Sequence, residues 1–401
     1  MRKRSFAKLG TAAVALSLAA LTACGSSGSG SVAPEPGATL SKSPIVIGNV
    51  GQYSGSSFGG QYLQAVHSLQ AWVKWTNEHG GLNGHPVKLV WHDDVNNPAK
   101  ALQYVKEMVE NDHIVALVGT VDSGADNAWT DYVKQKKLPV IGGLSVDANW
   151  DKNPYMLSAN VTIGNYLTGT LVAAKSVGTK VGEFACAELV ACKTGVTAFE
   201  GIAKQLGLGW AGAQLVSATA TDYTAQCAAM KSAGADVVVP EVDGPTAVRV
   251  IKGCNTQGYK PALVVPASLI NDEVLADPAF DGAVGVASSP LWFGDADLTR
   301  DWREAYTAMF PDAQPNGYAT LGWQAGVVFG TALKNAPDTV TSDTVLQSLY
   351  ALPAGSTFGG WTPPLTFSPG KTTATQPCMW QVQIKNGKLT APQGNKYVCA
   401  S

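Results

Sequence analysis

The chain has 401 residues, 45% of them hydrophobic and 14% charged, with a net charge of −2. That length exceeds the usual limit for a single core, so two domains are expected. The absence of a basic excess argues against nucleic-acid binding, which needs a positively charged face.

Arg2, Lys3, Arg4 and Lys8 precede an apolar run that ends Leu21-Thr22-Ala23-Cys24. A basic start followed by a short apolar run is an export signal. From Leu9 to Ala23 the run falls short of the ~20 residues a membrane-spanning helix needs. Its ending resembles a lipobox, which implies cleavage before Cys24 and a diacylglycerol on the Cys24 sulfur. The expected segments are a signal over 1–23 and a flexible tether over 24–44, where "GSSGSGSVAPEPGATLSKSP" has too little apolar content to bury. No later run is apolar and long enough to span a bilayer, so the chain is expected on the outer face of the cell membrane, held by lipid alone.

From Ile45 onward, β-rich runs alternate with helical ones. "PIVIGNV" is strand-like, and Val66, Leu69 and Val73 then fall at helical spacing before the glycines at 80–81. "HPVKLVWHDD", "IVALVG" and "LPVIGG" read as strands, separated by helices in "NPAKALQYVKEMVEND" and "GADNAWTDYVKQKK". The beat restarts with a helix in "IGNYLTGTLVAAKSV" and continues through strands in "KVGEFAC", "AQLVSATA", "ADVVVPEV" and "PALVVPAS". The fold class expected is α/β: two doubly wound parallel-sheet lobes with a ligand cleft between them, where ligands bind beyond the carboxyl ends of the strands. "GQYSGSSF", "DDVNN", "TVDSGAD", "LSVDANW", "EVDGPT" and "ASLIND" would line that cleft.

Apart from Cys24, six cysteines remain, an even number that in an exported protein reads as three disulfides. Fifteen connectivities are open. The sequential one, Cys186 with Cys192, Cys227 with Cys254 and Cys378 with Cys399, is favoured because each bridge then staples a local unit. No C-x-x-C occurs and all five histidines lie upstream of these cysteines, so no metal site is expected.

Three motifs invite a catalytic reading and fail it. "GSSFG" at 55–59 matches the G-x-S-x-G of hydrolases, but no histidine follows residue 113 and the loop lacks a strained strand-to-helix elbow at Ser57. "GLGWAG" at 207–212 follows a helix and precedes a strand, the reverse of a dinucleotide fingerprint. "WHDD" at 91–94 is read as a solvated loop. "VGTVDSGADNAW" is more informative, since Ser123 stands where a helix N-terminus could meet an acceptor-rich group, with capping by Ser123 or Asp122 as the plainer alternative. Tyr53, Phe58, Trp129, Trp150, Tyr166 and Trp292 are candidate wall aromatics, Phe58 and Trp150 foremost.

Across nearly the whole mature chain the sequence resembles type I periplasmic binding proteins, specifically the branched-chain amino-acid binding family of ABC transporters. The resemblance rests on "TNEHGGLNGHPVKLVWHDDVNNPAKA", "IVALVGTVDSGA", "LPVIGGLSVDA", "YATLGWQAGVVFGTAL" and "FGGWTPPLTFSPGKTT" together. It implies a first lobe of 45–162 plus about 291–345, a second of 163–290 plus about 346–401, and a multi-strand hinge. Ser54 and Gly55 would match the family's first binding turn, with Tyr53, Ser57 and Phe58 beside it. Ser123 would match the serine that holds the ligand carboxylate, and Leu144, Ser145 and Val146 the segment that helps it. Val242 and Asp243 stand where the family usually offers an aromatic. At Ala267 the family usually carries a glutamate for the ligand's ammonium group, so an α-amino acid would need Glu241 or Asp243 in its place, because a buried unpaired ammonium is costly. What the resemblance implies is a non-enzymatic, monomeric receptor that takes no cofactor, captures a small organic solute and delivers it to a membrane permease. A sensor of the same fold and an exported hydrolase using Ser57 are the competing readings.

Overall fold

The computed structural model describes residues 40–56 and 58–399, apart from the side chains of Val190, Ala191 and Thr194; Cys24 and Ser57 lie outside the described residues. The chain opens with β1 (Ile45–Gly51), α1 (Gly59–Glu78), β2 (Val87–Asp93), α2 (Pro98–Glu110), β3 (Ala116–Thr120), α3 (Thr130–Lys136), β4 (Val140–Gly143) and β5 (Met156–Leu157). These five strands form one sheet in the order β2-β1-β3-β4-β5, every neighbour parallel. β1, β3 and β4 are almost wholly buried, as strands covered by helices on both faces must be.

A second round follows: α4 (Ile163–Lys175), β6 (Lys180–Cys186), α5 (Val190–Gln205), β7 (Gly209–Val216), α6 (Thr224–Ser232), β8 (Val237–Glu241), α7 (Gly244–Thr256) and β9 (Ala262–Leu263). This sheet is also parallel, in the order β7-β6-β8-β9. After α8 (Asp272–Ala276) comes β10 (Val284–Ala287), which a bridge between Val264 and Val284 ties to the end of β9. The "PALVVPAS" strand is thus shorter than the sequence suggests, because Pro266 and a 3-10 turn at Ala267–Leu269 interrupt it.

The chain then returns to the first sheet through α9 (Arg300–Met309) and α10 (Leu321–Ala332). α10 lies against α1, β3 and β4. Small residues make that approach possible: an added Cβ at Gly322 would sit 2.0 Å from the Ala65 carbonyl oxygen, and one at Gly326 would sit 2.3 Å from the Trp72 ring. α11 (Ser342–Tyr350) packs on α10, and Gln324 Nε2 donates to the Trp361 carbonyl at 2.7 Å. This layer therefore extends to Trp361, well past the end of α11. The chain ends in an antiparallel ribbon, with β11 (Cys378–Lys385) pairing β10, β12 (Lys388–Thr390) and β13 (Tyr397–Cys399).

Three disulfides join Cys186 to Cys192, Cys227 to Cys254 and Cys378 to Cys399. The second ties α6 to α7 and the third links facing residues of β11 and β13. The first does not close a free loop: α5 already begins at Val190, so Cys192 sits in its opening turn. Among the described residues no helix is long and apolar enough to cross a membrane.

Candidate functional site

A cleft with an empty volume of about 1010 Å³, open mouth included, lies between elements of the two sheets. From the first sheet's side come Phe58 and Tyr62 at the start of α1, Ser123 after β3, Leu144–Val146 after β4, and Asn160–Val161 after β5. From the second come Tyr166 and Leu167 on α4, Glu183 on β6, Phe199 on α5, Glu241 at the end of β8, and Ser268. Tyr318, from the loop before α10, lines it too.

Phe58 and Tyr62 stack with centroids 5.7 Å apart, and Tyr62 meets Tyr318 edge to face at 4.7 Å. The Ser145 hydroxyl shares a 2.9 Å hydrogen bond with Ser158, and Asn160 Nδ2 donates to the Gly143 carbonyl, so this rim is tied internally. Ser123 is buried to 5% exposure and lines the cleft.

The helix expected from Gly124 is instead a 3-10 turn, Ala125–Ala128, followed by α3. Gly124 takes a left-handed conformation, φ 100°, and Trp129 joins the two pieces. Asp122, not Ser123, braces this turn: its carboxylate accepts from Ala125 N at 3.2 Å and from Trp129 Nε1 at 3.1 Å. Ser123 is thereby left facing the cleft.

Of the residues expected at the site, the structure brings Phe58, Ser123, Leu144, Ser145, Val146 and the wall aromatic Tyr166 together around the cleft. Tyr53, Ser54, Trp150, Asp243 and Ala267 do not line it, each for a definite reason. Tyr53 is buried and its hydroxyl donates to Asn49 Oδ1 at 2.5 Å. Ser54 turns outward to give its hydroxyl to Asp93 Oδ2 at 2.6 Å. Trp150 packs in a core with Trp129, Val140 and Met156. Asp243 caps α7, accepting from Thr246 N and Thr246 Oγ1. Ala267 is fully buried, one residue short of the exposed edge that Ser268 presents. Trp129 and Trp292 are likewise core residues. Glu241, the alternative acid, does reach the cleft, so Ala267 no longer argues against an amino group in the ligand.

The sequence reading missed Tyr62, Asn160, Glu183, Phe199 and Tyr318. One signal was available: Glu183 is a lone charge inside the apolar run "VGEFAC", and such a residue needs a reason to be buried. Burial pushes Glu183 up to about 9, helped by the charge of Glu241, and pushes Glu241 up to about 7. The Tyr62 and Tyr166 hydroxyls are raised by the same cause.

No group of acids, histidines or cysteines able to hold a metal occurs among the described residues. Among the described residues the cleft lining contains no histidine or lysine that could activate a serine.

A family model described as periplasmic binding protein matches residues 44–388. An amino acid binding protein of Pseudomonas aeruginosa is 35% identical over 77 residues, 19% of this chain and 20% of that protein, so the chain aligns with about a fifth of that relative's length. Solved structures match far more of the chain at low identity. A possible leucine/isoleucine/valine-binding protein from Rhodopirellula baltica SH 1 has a TM-score of 0.75 at 16% identity, covering 88% of this chain and 98% of that one. A solute-binding protein from R. palustris, in complex with benzoate, reaches 0.69 at 18% identity, covering 89% and 98%. A fatty acid ABC transporter substrate-binding protein from Thermomonospora curvata reaches 0.73 at 16% identity, covering 92% and 95%. These establish the fold as that of type I periplasmic binding proteins: two parallel α/β sheets with the cleft between them. On the match over 44–388, the chain belongs to the periplasmic binding protein family.

Proposed function

We propose that the protein is an extracytoplasmic receptor for a small organic solute, anchored by a lipid on Cys24, which delivers its ligand to the permease of an ABC importer. One observation carries this reading: the cleft is walled from both sheets, by Phe58, Tyr62 and Ser123 on one side and Tyr166, Glu183 and Glu241 on the other. A ligand seated there contacts both lobes, so its binding energy favours the closed arrangement over the open one. The lobes we assign meet near residues 162–163 and 290–291, where the chain passes from one sheet to the other. Membership of a family of binding proteins, and ABC substrate-binding proteins among its structural neighbours, supports the same reading. The chemistry required is enclosure of the ligand, with no bond broken in it.

The test is to denature protein purified from its native membrane and analyse what is released by mass spectrometry. An intact small molecule, which on re-addition raises the melting temperature and compacts the protein in small-angle scattering, is the expected result. Labelling by a fluorophosphonate probe that Ser57→Ala abolishes would overturn it in favour of a hydrolase. Membrane release of a Cys24→Ala variant checks the anchor.

A further inference from the structure

Resting on the receptor reading above, we propose that the second-lobe wall of the cleft is a subsite for an organic cation: a protonated amine seated between Glu183 and Glu241, with its apolar body among Tyr166, Phe199 and Tyr318.

The placement follows from strand register. β6 and β8 are parallel neighbours in which Glu183 faces Val239 and Ala185 faces Glu241. Side chains two apart on a strand share a face, so both carboxyl groups leave the sheet on the same side, diagonally across one strand spacing. That side is the one covered by α4 and α5, where Val237 and Val239 pack with Leu167 and Phe199. Both glutamates line the cleft.

Among the described residues neither acid has a cationic partner. The ion pairs among the described residues all involve other side chains, and no lysine, arginine or histidine lines the cleft. Glu183 is 1% exposed and its Oε2 has no hydrogen-bond partner. Among the described residues Glu241 has the Tyr166 hydroxyl as its side-chain partner, at 3.4 Å. The other titratable groups facing the pair are Tyr62, Tyr166 and Tyr318, while Cys192 is held in its disulfide. Burial, then Tyr318, Asp147 and Glu241, raise the Tyr62 hydroxyl.

An unpaired carboxylate is costly to bury, so in the empty cleft these groups hold protons more tightly than ordinary glutamates do. An ammonium ligand reverses the preference: it donates N–H to the vacant oxygens, its charge stabilises the carboxylate, and the displaced proton passes to solvent. An anionic ligand finds no cation here to offset its desolvation. Electron-rich ring faces on Tyr166 and Tyr318 add cation–π attraction.

The experiment compares ligands of one body and different charge: 2-phenylethylamine, 2-phenylethanol and 3-phenylpropanoate, with hexylamine as an aliphatic amine, by calorimetry near neutral pH in two buffers of unlike ionisation enthalpy. The amines should bind at least about tenfold more tightly than the alcohol or the acid, with net proton release. Glu183→Gln and Glu241→Gln should each erase the preference and the proton release while folding at least as stably as the parent near neutral pH. An alcohol or acid that binds as tightly as the amine, binding by none of the four, or a preference that survives both glutamine variants would overturn the proposal. The receptor reading fails separately: recovery of an intact anionic or neutral solute from the native protein leaves a receptor standing and removes the cation.

Discussion

Tyr62 on α1 and Tyr318 before α10 meet at right angles, interplanar angle 89° and centroids 4.7 Å apart, and together form the aromatic floor of the cleft. Both are buried, with exposures of 3% and 5%. The pair joins residues far apart in the chain and so fixes where α1's first turn stands. Replacing Tyr62 by Ala removes one ring of the pair and its packing on Phe58; the expected loss is about 2–4 kcal/mol, the low part of the large-to-small range because cleft water can fill the space. Tyr62→Phe keeps the ring contacts and should stay within about 1.5 kcal/mol of the parent in urea denaturation.

Stability should fall as pH rises from about 4 to 8. Burial, then the charge of Asp147, pushes Asp126 up to about 8, and burial pushes Asp147 up to about 6. Asp122 beside them is raised by burial and by Asp94 and Asp126. A carboxyl group whose pKa is higher in the folded state binds its proton better there than in the unfolded chain. Its contribution is therefore fully present below the ordinary value near 4 and is lost as pH climbs towards the folded value. Asp126→Asn should leave the melting temperature at pH 4 nearly unchanged, raise it by several degrees at pH 8, and make the slope between them shallower. Glu183 and Glu241 act in the same sense, so some slope remains. A variant with the parent's full slope would show that Asp126 does not titrate in this way.

α10 should tolerate no side chain at Gly322. A Cβ there would lie 2.0 Å from the Ala65 carbonyl and 2.7 Å from Leu69 N, both backbone atoms of α1 that move only if the helices separate. Gly322→Ala gains about 1 kcal/mol of helix propensity and loses more to overpacking, for a net destabilisation of about 1–3 kcal/mol. Gly253 in α7 is the control: an added Cβ meets nothing within 4 Å, so Gly253→Ala should stabilise by about 0.5–1 kcal/mol. Paired thermal melts read both.

The alternation of strands and helices was legible because each central strand is an apolar run bounded by turn residues, as in "IVALVG" and "ADVVV". α3 was not, because its apolar spacing runs on through Trp129, whereas after the left-handed Gly124 the chain first makes a 3-10 turn braced by Asp122 and α3 begins only at Thr130. The first-lobe rim could be read from the segments that follow strands, hence Ser123 and Leu144–Val146. Of the opposite wall, Tyr166 and Glu241 could be named but Glu183 could not, since it lies in the middle of β6. Which face of that strand meets the cavity is decided by how α4 and α5 pack over it, and that is a tertiary outcome. Asp243 misled for a local reason: an Asp before Gly-Pro-Thr is as good a helix cap as a ligand, and here it caps.

The turn carrying Ser54, Gly55 and Phe58 is held by one carboxylate. Asp93, at the end of β2, accepts from Tyr53 N at 3.0 Å, Ser54 N at 3.2 Å, Ser54 Oγ at 2.6 Å and Val95 N at 2.9 Å. Gly55 completes the fit, with φ 76° and room for no Cβ, since one would sit 2.3 Å from the Val95 carbonyl oxygen. The glycine of "GSSFG" thus serves close packing of two loops, and the turn delivers Phe58 to the cleft wall. Asp93→Ala leaves three backbone donors and a hydroxyl to water at a half-exposed site, so the expected stability loss is about 1–2 kcal/mol, modest for a carboxylate with four bonds. The effect on ligand should be larger in proportion, because Phe58 loses its fixed position: weaker binding by about tenfold, with slow-timescale exchange appearing at the amides of 53–60 in NMR relaxation dispersion. Asp93→Asn keeps one acceptor oxygen and should recover part of both. Equal affinity in Asp93→Ala and the parent, with Phe58 still ordered, would mean that the turn's position is set by Gly55 and α1 alone.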